Sequence, residues 1–364
     1  MDKTKVITVS TSGFIRREGI STIILDYYSL FDKEKFDLDL VVAGDYNPGV
    51  VGLFQEIGVN VCFLPSRKKD ILKYILRLAR LLKVNQYDAI YVHGSSAIMS
   101  IELVLAKIFG CKIRISHSHN TTCDYKKIDR LLRPVFYHSY TRAVACGEDA
   151  GKWLYGKRKF EVIKNGRNLN IYKYDSNVRK AMREALCLDD NTIAIGHVGN
   201  FNEQKNQKFL IDVMDEVRNR NENTKLYLMG DGCTRESVEQ LANEKNLNNQ
   251  IVFTGSIQNV PEMLQAMDVM VLPSLYEGLP LVSVEWQIAA LPCVLSECVT
   301  RECAYTDLVR FLSLDAGPQA WAEEILKVKR FDREEVAAEC IKLTKENGYS
   351  LEENAERLQS FFLK

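Results

Sequence analysis

The chain has 364 residues, more than one hydrophobic core usually supports, so two domains are expected. Hydrophobic residues make up 46% of the sequence and charged residues 26%, as is typical of a globular protein. Lysine plus arginine equals aspartate plus glutamate at 48 each. No overall positive field therefore favours nucleic acid, and any anion must be recognised locally.

The cysteine and hydropathy patterns predict a cellular compartment. The ten cysteines are scattered and form no C-x-x-C pair, which favours free thiols in a reducing environment. The N-terminal segment 1–10 is short and carries charged residues, unlike a signal peptide. No apolar run in the sequence approaches the roughly 20 residues that span a bilayer. We therefore expect a cytoplasmic protein, either free or at the inner face of the cell membrane.

Short β-branched runs alternate with segments of helical periodicity along the whole chain. Helical segments such as 71–82 and 209–217 place apolar residues at i, i+3, i+4 and i+7. The predicted strands form two series, 5–9, 38–42, 61–64, 89–93, 112–116 and 143–145, then 192–197, 225–229, 251–254, 269–273, 293–295 and 311–314. Strand–helix alternation with nearly continuous apolar strands predicts parallel sheets that are covered on both faces.

The two strand series predict two doubly wound α/β domains. An Asn-Gly pair and a polar stretch at 165–180 interrupt the pattern, so we predict an N-terminal domain over 1–168 and a C-terminal domain over 169–348. A last helix over 349–364 is predicted to pack back on the N-terminal domain. Neither half carries a G-x-G-x-x-G fingerprint, which argues against a dinucleotide cofactor. Ligands of such sheets bind at the carboxyl ends of the strands.

The most specific signal is the segment 273–285, with the sequence PSLYEGLPLVSVE. A strand ends at its start, a loop carries Glu277 and Gly278, and Pro280 suits the first turn of a helix. The amides around Gly278 and Leu279 would form an anion site at the helix N-terminus. Glu285 lies among apolar helix residues, where a carboxylate needs hydrogen-bond donors such as a ribose diol. An ordinary cap and ion pair would explain a bare E-x7-E spacing, but not the strand, the Gly-Leu-Pro and the apolar helix together.

This segment resembles the donor-site motif of family 4 glycosyltransferases, which have the GT-B fold of two facing Rossmann-like domains with an interdomain cleft. The resemblance covers nearly the whole chain and is closest to bacterial capsular and exopolysaccharide glycosyltransferases. It implies that Glu277 contacts the donor sugar and that Glu285 holds the ribose hydroxyls. Both carboxylates belong to one strand–loop–helix unit, which fits donor binding better than a glycosidase, whose carboxylates flank the scissile bond.

A second candidate element is the segment 199–206, GNFNEQKN, which follows a predicted strand. A lysine at the start of a helix after a glycine turn can meet a diphosphate, although most loop lysines are merely solvated. The segment resembles the family's Arg and Lys pair, which neutralises the donor diphosphate. Lys205 matches the lysine, whereas Asn200 occupies the arginine position.

A third element is His117-Ser118-His119 at the end of a predicted strand. A histidine pair with this spacing could be structural or half of a metal site, but no cysteine or carboxylate cluster accompanies it. The resemblance favours a third role, in which His119 faces the reaction centre and contacts the sugar or the acceptor.

Two further loops match the family more weakly. The first strand–helix turn, 12–20, keeps Gly19 of a usual glycine pair, but Glu18 replaces its neighbour. Arg16 and Arg17 either compensate for that charge or are merely solvated. The resemblance also implies that the loop at Val260 meets the nucleotide base through its backbone.

The segment 67–83 predicts a basic amphipathic helix with Ile71, Ile75, Leu78 and Leu82 facing inward. It is either an ordinary surface helix or, with the basic residues of 126–133, an interfacial patch on anionic lipid. The second interpretation would suit a lipid-linked acceptor.

Taken with the resemblance, these elements predict a hexosyltransferase that uses a nucleoside diphosphate sugar, with UDP favoured, and no metal ion or other cofactor. Retention of the anomeric configuration is implied by the resemblance alone. The acceptor would be a hydroxyl of a polysaccharide or a lipid-linked glycan. Lys205, Glu277 and His119 are the candidate catalytic residues. Two alternatives stay open, a UDP-sugar epimerase of similar fold and a catalytically silent partner of another transferase, the latter because of Asn200 and Glu18.

Overall fold

A computed structural model describes residues 3–14, 19–327 and 332–363 of the chain. They form two compact units, an N-terminal domain of Met1–Gly166 with Leu351–Lys364 and a C-terminal domain of Arg167–Ser350. The boundaries predicted from the sequence differ from these by two residues at each of the two points where the chain passes from one domain to the other. Arg16, Arg17 and Glu18, which the sequence analysis singled out, lie outside the described residues.

The strands of the N-terminal domain pair in parallel in the order β3-β2-β1-β4-β5-β6-β7. They are β1 Thr4–Ser10, β2 Phe36–Ala43, β3 Asn60–Leu64, β4 Ala89–Gly94, β5 Ile113–Ser118, β6 Arg142–Ala145 and β7 Glu161–Val162. The connecting helices are α1 Ile20–Ser29, α2 Pro48–Glu56, α3 Ile71–Asn85, α4 Ser100–Ile108, α5 Lys126–Tyr137 and α6 Glu148–Tyr155, with a 3₁₀ turn at Ala97–Met99.

The N-terminal sheet is buried on both faces, as its continuous apolar strands predict. Val6 and Leu40 pack on the side of α1 and α2. Ile7 and Val92 pack on the opposite side, in the core cluster that Leu78 of α3 shares with α4, α5 and α6. Alternate residues of a strand point to opposite faces, so both faces must be apolar when helices cover both.

Helix α3 differs in part from its prediction. Leu78 and Leu82 are buried as expected, together with Tyr74, but Ile71 is exposed at the first turn. The helix begins after Asp70, whose side chain caps it by accepting a hydrogen bond from the backbone N–H of Lys73. Arg67 therefore lies outside the helix.

The C-terminal domain repeats the arrangement with the parallel order β10-β9-β8-β11-β12-β13. Its strands are β8 Ile193–Val198, β9 Thr224–Met229, β10 Ile251–Gly255, β11 Val269–Leu272, β12 Cys293–Ser296 and β13 Val309–Leu312. Its helices are α7 Leu169–Tyr172, α8 Ser176–Ala185, α9 Gln207–Arg220, α10 Arg235–Glu244, α11 Val260–Ala266, α12 Leu281–Ile288, α13 Gly317–Leu326 and α14 Arg333–Glu346, with 3₁₀ turns at Glu203–Lys205, Arg301–Cys303 and Leu314–Ala316.

The final helix, α15 Leu351–Phe362, belongs to the N-terminal domain. Leu358 and Phe362 are fully buried in its core, and the Phe362 ring packs edge-on against Tyr91 of β4 with centroids 5.5 Å apart. The end of the chain therefore supports a central strand of the first sheet.

Every predicted strand is present, which confirms two Rossmann-like parallel sheets. The sequence analysis missed β7, because two residues give too short a pattern to recognise.

Candidate functional site

The candidate donor site lies at the carboxyl ends of the C-terminal strands. Strands β8 and β11 are neighbours, and the order reverses between them, since β9 lies on the other side of β8. Loops that leave two such strands diverge to opposite faces of the sheet and open a crevice, which is where doubly wound sheets bind ligands. The loop after β8 carries Asn200 and Lys205, and the loop after β11 carries Glu277.

An ion pair joins these two loops. The Lys205 Nζ lies 2.6 Å from Glu277 Oε1, and the two side chains are only 16% and 11% exposed. Lys205 ends a 3₁₀ turn whose first backbone groups are capped by Asn202, which accepts a hydrogen bond from the Lys205 N–H at 2.9 Å. A charge-assisted contact of this length between poorly solvated groups is stronger than a surface pair.

The Glu277 loop is held by contacts other than the ion pair. Ser274 Oγ donates to Glu277 Oε1 at 3.0 Å. The Leu275 N–H donates to the Gln204 carbonyl at 2.8 Å, and Gln204 Nε2 donates in return to the Tyr276 carbonyl at 2.9 Å. The carboxylate is thus oriented by its own loop and by the turn that carries Lys205.

A cavity of about 310 Å³ opens beside Lys205, within the size range of small-ligand sites. It lies at the carboxyl ends of β8, β9 and β10. Two of the predicted donor residues besides Lys205 line it, namely Asn200 and Val260. Its lining comprises Val198, Gly199, Asn200, Lys205, Met229, Gly230, Ser256, Ile257, Val260 and Val282.

Close backbone packing shapes this cavity. Gly230 has a φ of +144°, and a Cβ there would lie 2.1 Å from the Gly199 carbonyl oxygen. Gln207, buried at the start of α9, donates to the Asn200 carbonyl at 3.0 Å. The loop after β8 is therefore positioned by backbone contact and by a buried amide, and sequence reasoning did not single out Gln207.

Glu285 has a partner that the sequence analysis did not foresee. It lies in the middle of α12 and is buried, as expected, but Arg167 Nε donates to its Oε1 at 2.7 Å. Burial of this carboxylate therefore does not by itself require a ribose diol, which corrects that step of the argument. The missed signal was an arginine directly after the Asn165-Gly166 pair at the domain boundary.

The remaining predicted donor residues lie around the same unit. Gly278 is exposed and Leu279 is half-buried, and both precede α12, which begins at Leu281 with Pro280 at its N-cap. Val260 is the first residue of α11.

Gly19 and His119 belong to the N-terminal domain. Gly19 precedes α1 with a φ of +54°, a conformation that side chains disfavour. His119 directly follows β5 and is half-buried, and the Nδ1 of its ring has no hydrogen-bond partner within the described ranges.

The structure adds a histidine to the predicted pair. His93 of β4 lies opposite His117 of β5 in the parallel register, and His119 is two residues further along on the same face. The three side chains each offer a ring nitrogen within 4.8 Å of the others. Burial lowers the pKa of all three rings, that of His119 to about 3, so they are neutral near pH 7. The signal that could have found this cluster is a histidine near the carboxyl end of each of two adjacent strands.

Comparisons with known proteins give a family match and several relatives for this chain. Residues 192–330 match the family of group 1 glycosyl transferases. EpsF of Bacillus subtilis, which is named as a glycosyltransferase, is 30% identical to this chain over 363 residues. The match covers 96% of this chain and 94% of that protein. An Escherichia coli relative named as a UDP-Gal:α-D-GlcNAc-diphosphoundecaprenol α-1,3-galactosyltransferase is 25% identical over 304 residues and covers 78% of each chain.

A solved structure gives the same fold. Anabaena HepE in complex with UDP and glucose superimposes with a TM-score of 0.72 over 98% of both chains at 16% identity. This likeness supports the GT-B fold of two Rossmann-like domains.

The Arg167–Glu285 ion pair is expected to stabilise the C-terminal domain. Replacing either residue by alanine removes this contact from a poorly solvated charge, so each of R167A and E285A should lower the free energy of unfolding by about 3 kcal/mol. The double variant should lose clearly less unfolding free energy than the sum of the two single losses, because the second change removes the charge that the first one deprived of this contact. Urea unfolding followed through tryptophan fluorescence, to which the adjacent Trp286 contributes, measures this.

The control is the exposed Lys342–Glu339 pair of α14, with K342A and E339A. It should show no measurable change. Strictly additive losses in the Arg167–Glu285 cycle would contradict a stabilising contact.

Proposed function

The chain belongs to the group 1 glycosyltransferases, and we propose that it transfers a hexosyl unit from a UDP-sugar to a hydroxyl of a polysaccharide or lipid-linked acceptor, with retention of anomeric configuration. The observation that carries the proposal is the Lys205–Glu277 pair beside the cavity at the strand ends. Support for UDP comes from the E. coli relative named for UDP-Gal and from HepE, whose structure holds UDP. The same relative is named for a diphosphoundecaprenol-linked acceptor, which supports a lipid-linked one here.

In this proposal Lys205 leaves Glu277 and binds the donor diphosphate. Its ammonium is a compact charge that lines the cavity at the carboxyl end of β8, where it can approach the phosphate oxygens. Glu277 then accepts hydrogen bonds from sugar hydroxyls, and the amides of Gly278 and Leu279 before α12 add donors.

The nucleoside is held by other parts of the same domain. Glu285 accepts hydrogen bonds from the ribose hydroxyls while it keeps Arg167, since a carboxylate has about four acceptor sites. Val260 meets the base through its backbone at the start of α11. Outside this domain, Gly19 is proposed to contact the phosphates or the acceptor through its backbone.

We propose that the leaving diphosphate is stabilised by Lys205 and by backbone amides, without a metal ion. Donors that are already oriented when negative charge develops lower the barrier more than mobile solvent does. His119 hydrogen-bonds a hydroxyl of the sugar or the acceptor as a neutral ring. Neither an epimerase nor a silent partner subunit gains support from the named relatives.

Donor affinity should depend on the charge at the loop after β8. Lys205→Ala removes a charge-assisted contact to phosphate, worth about 1.5–3 kcal/mol, and should weaken UDP binding about 10- to 100-fold. Asn200→Arg adds a cation beside the same cavity and should strengthen it. Calorimetric titration with UDP measures both, with Lys208→Ala on the exposed side of α9 as the control. Equal affinities for the Lys205 and Lys208 variants would refute the diphosphate assignment.

Transfer itself is tested with the purified full chain. Incubation with UDP-, GDP- and ADP-hexoses and a polyprenyl-diphosphate glycan should yield a product heavier by one hexosyl unit, with UDP donors preferred and with activity kept in EDTA. The anomeric coupling constant of the product, read by NMR, should match that of an α-linked donor. No turnover and no binding of any nucleotide sugar would refute the proposal, and an inverted anomeric centre would refute retention.

We also propose a cytoplasmic protein that contacts the anionic inner face of the cell membrane through α3 and α5. These helices cover the same face of the N-terminal sheet as α4. Helix α5 exposes Ile128, Leu131 and Val135 along one stripe, with Leu131 77% exposed, and α3 exposes Leu76 at 69%. Apolar stripes of this kind beside basic residues are typical of helices that lie in the membrane interface.

The cations of this surface differ in part from those predicted. Arg67 and Arg133 are bound to Glu102 and Asp129 inside the domain, so they are not available to lipid. The exposed basic residues are Lys73, Arg77, Arg80 and Lys83 on α3, of which Lys73 pairs with Asp70, and Lys126, Lys127 and Arg130 on α5. No helix in the described part of the chain is long and apolar enough to cross a bilayer.

Co-sedimentation with vesicles tests this surface. The wild type should pellet with phosphatidylglycerol-containing vesicles and not with pure phosphatidylcholine. Leu76→Asp with Leu131→Asp should lower the bound fraction at least about tenfold, because two apolar contacts of roughly 1.5–3 kcal/mol each are lost. Ile171→Asp, at a similarly exposed site of the C-terminal domain, is the control. Wild-type protein that stays in the supernatant would refute membrane contact.

A further inference from the structure

Strand pairing places His93 beside the candidate catalytic histidine. His93 lies in β4 and pairs with His117 of β5, while His119 follows the end of β5. Tyr91 precedes His93 on the same face and hydrogen-bonds His117 Nδ1 at 2.5 Å. His93 and His117 are fully buried, and only His119 reaches the surface.

The contact between His93 and His119 is a head-on hydrogen bond. The His93 Nδ1 and the His119 Nε2 are 2.8 Å apart. The ring planes differ by only 19° and the centroids are 5.0 Å apart, so the rings lie nearly in one plane with their nitrogens facing each other. This arrangement suits a shared proton better than a metal ion, because ligand nitrogens around a tetrahedral ion point at a common centre and not at one another.

The bond also links the tautomers of the two rings. Both rings are neutral, so one proton lies between them and one nitrogen of the pair accepts it. When His93 donates through Nδ1, His119 carries its own proton on Nδ1 and can donate to a hydroxyl. When His119 donates through Nε2, its Nδ1 accepts instead. The Nδ1 of His119 and the Nε2 of His93 are both buried and have no partner among the described residues, so each end of the pair is a polar atom that still lacks a hydrogen bond.

We infer that His93 is a positioning residue that orients the His119 ring and sets its tautomer, so that Nδ1 of His119 meets a hydroxyl of the sugar or the acceptor. This inference rests on the proposed function, in which His119 contacts that hydroxyl. His93 has no contact with substrate in this scheme and acts only through His119.

Variants of His93 separate orientation from packing. His93→Phe keeps the ring volume but removes the hydrogen bond, and His93→Asn places an amide near the position of Nδ1. His93→Phe should lower kcat for transfer about 10- to 100-fold with the donor KM changed less than twofold, because misorientation of a reacting group affects the chemical step. His93→Asn should recover most of that loss. Tyr28→Phe, which removes a buried hydrogen bond to Thr8 in the same domain, is the control for stability and should keep wild-type kcat.

A spectroscopic measurement does not depend on turnover. The ¹⁵N chemical shifts of the His119 ring report which nitrogen carries the proton, and His93→Phe should change them while His93→Asn restores one dominant tautomer. A wild type that transfers sugar and a His93→Phe variant that transfers equally well, with unchanged His119 shifts, would overturn the inference and leave the proposed function standing. Absence of transfer by the wild type would instead refute the proposed function.

Metal analysis provides a further decisive outcome. Zinc at one ion per chain in the purified protein, lost in His93→Asn, would make the cluster a metal site and overturn the positioning role. Zinc-free protein that shows the kcat loss and its rescue supports it.

Discussion

Parallel pairing of the strands within each domain is the constraint on which the rest of the structure depends. A parallel sheet covered on both faces has apolar strands, because each residue points into one of two helix-covered layers. Groups that bind a ligand are therefore expected at the ends of the strands. All carboxyl ends of such a sheet lie at one edge, so Lys205 after β8 and Glu277 after β11 come together although 72 residues of sequence separate them. The same constraint places His93 beside His117 at the ends of β4 and β5.

The strand ends concentrate charge, and the chain balances it locally. Glu277 pairs with Lys205, and Glu285 pairs with Arg167, each within the C-terminal domain. Pairing lowers the cost of removing these carboxylates from water, and it holds them in defined rotamers. In the N-terminal domain the solution is different: His93 and His117 are fully buried, His119 is half-buried, the described residues of the cluster include no carboxylate, and all three rings stay neutral. One domain thus presents paired ions and the other presents uncharged hydrogen-bonding groups.

Local patterns predicted the elements well and the contacts between distant residues poorly. Apolar periodicity located the strands of both sheets, and the Gly-Leu-Pro segment located the loop of Glu277. The partner of Glu285 could not be derived, since Arg167 precedes it by 118 residues and nothing in the spacing joins them. Ile71 was predicted to face inward because its spacing fits, but the cap at Asp70 makes it a first-turn residue at the exposed end of α3. His93 was overlooked because a single histidine in an apolar strand resembles a core residue until the register sets it beside His117.

The Lys205–Glu277 pair couples the two halves of the proposed donor. When Lys205 turns to a diphosphate, Glu277 loses its cation in a poorly solvated loop, and a carboxylate left in that way is costly unless hydroxyl donors replace the cation. A sugar attached to the diphosphate supplies such hydroxyls, whereas a free nucleoside diphosphate does not. An arginine at position 200 would add a second cation and weaken this dependence, because the phosphates could then be neutralised while Lys205 stayed on Glu277. With Asn200 in that place, the proposed scheme makes recognition of the phosphate and recognition of the sugar depend on the same lysine, so it predicts that the intact nucleotide sugar binds better than its parts.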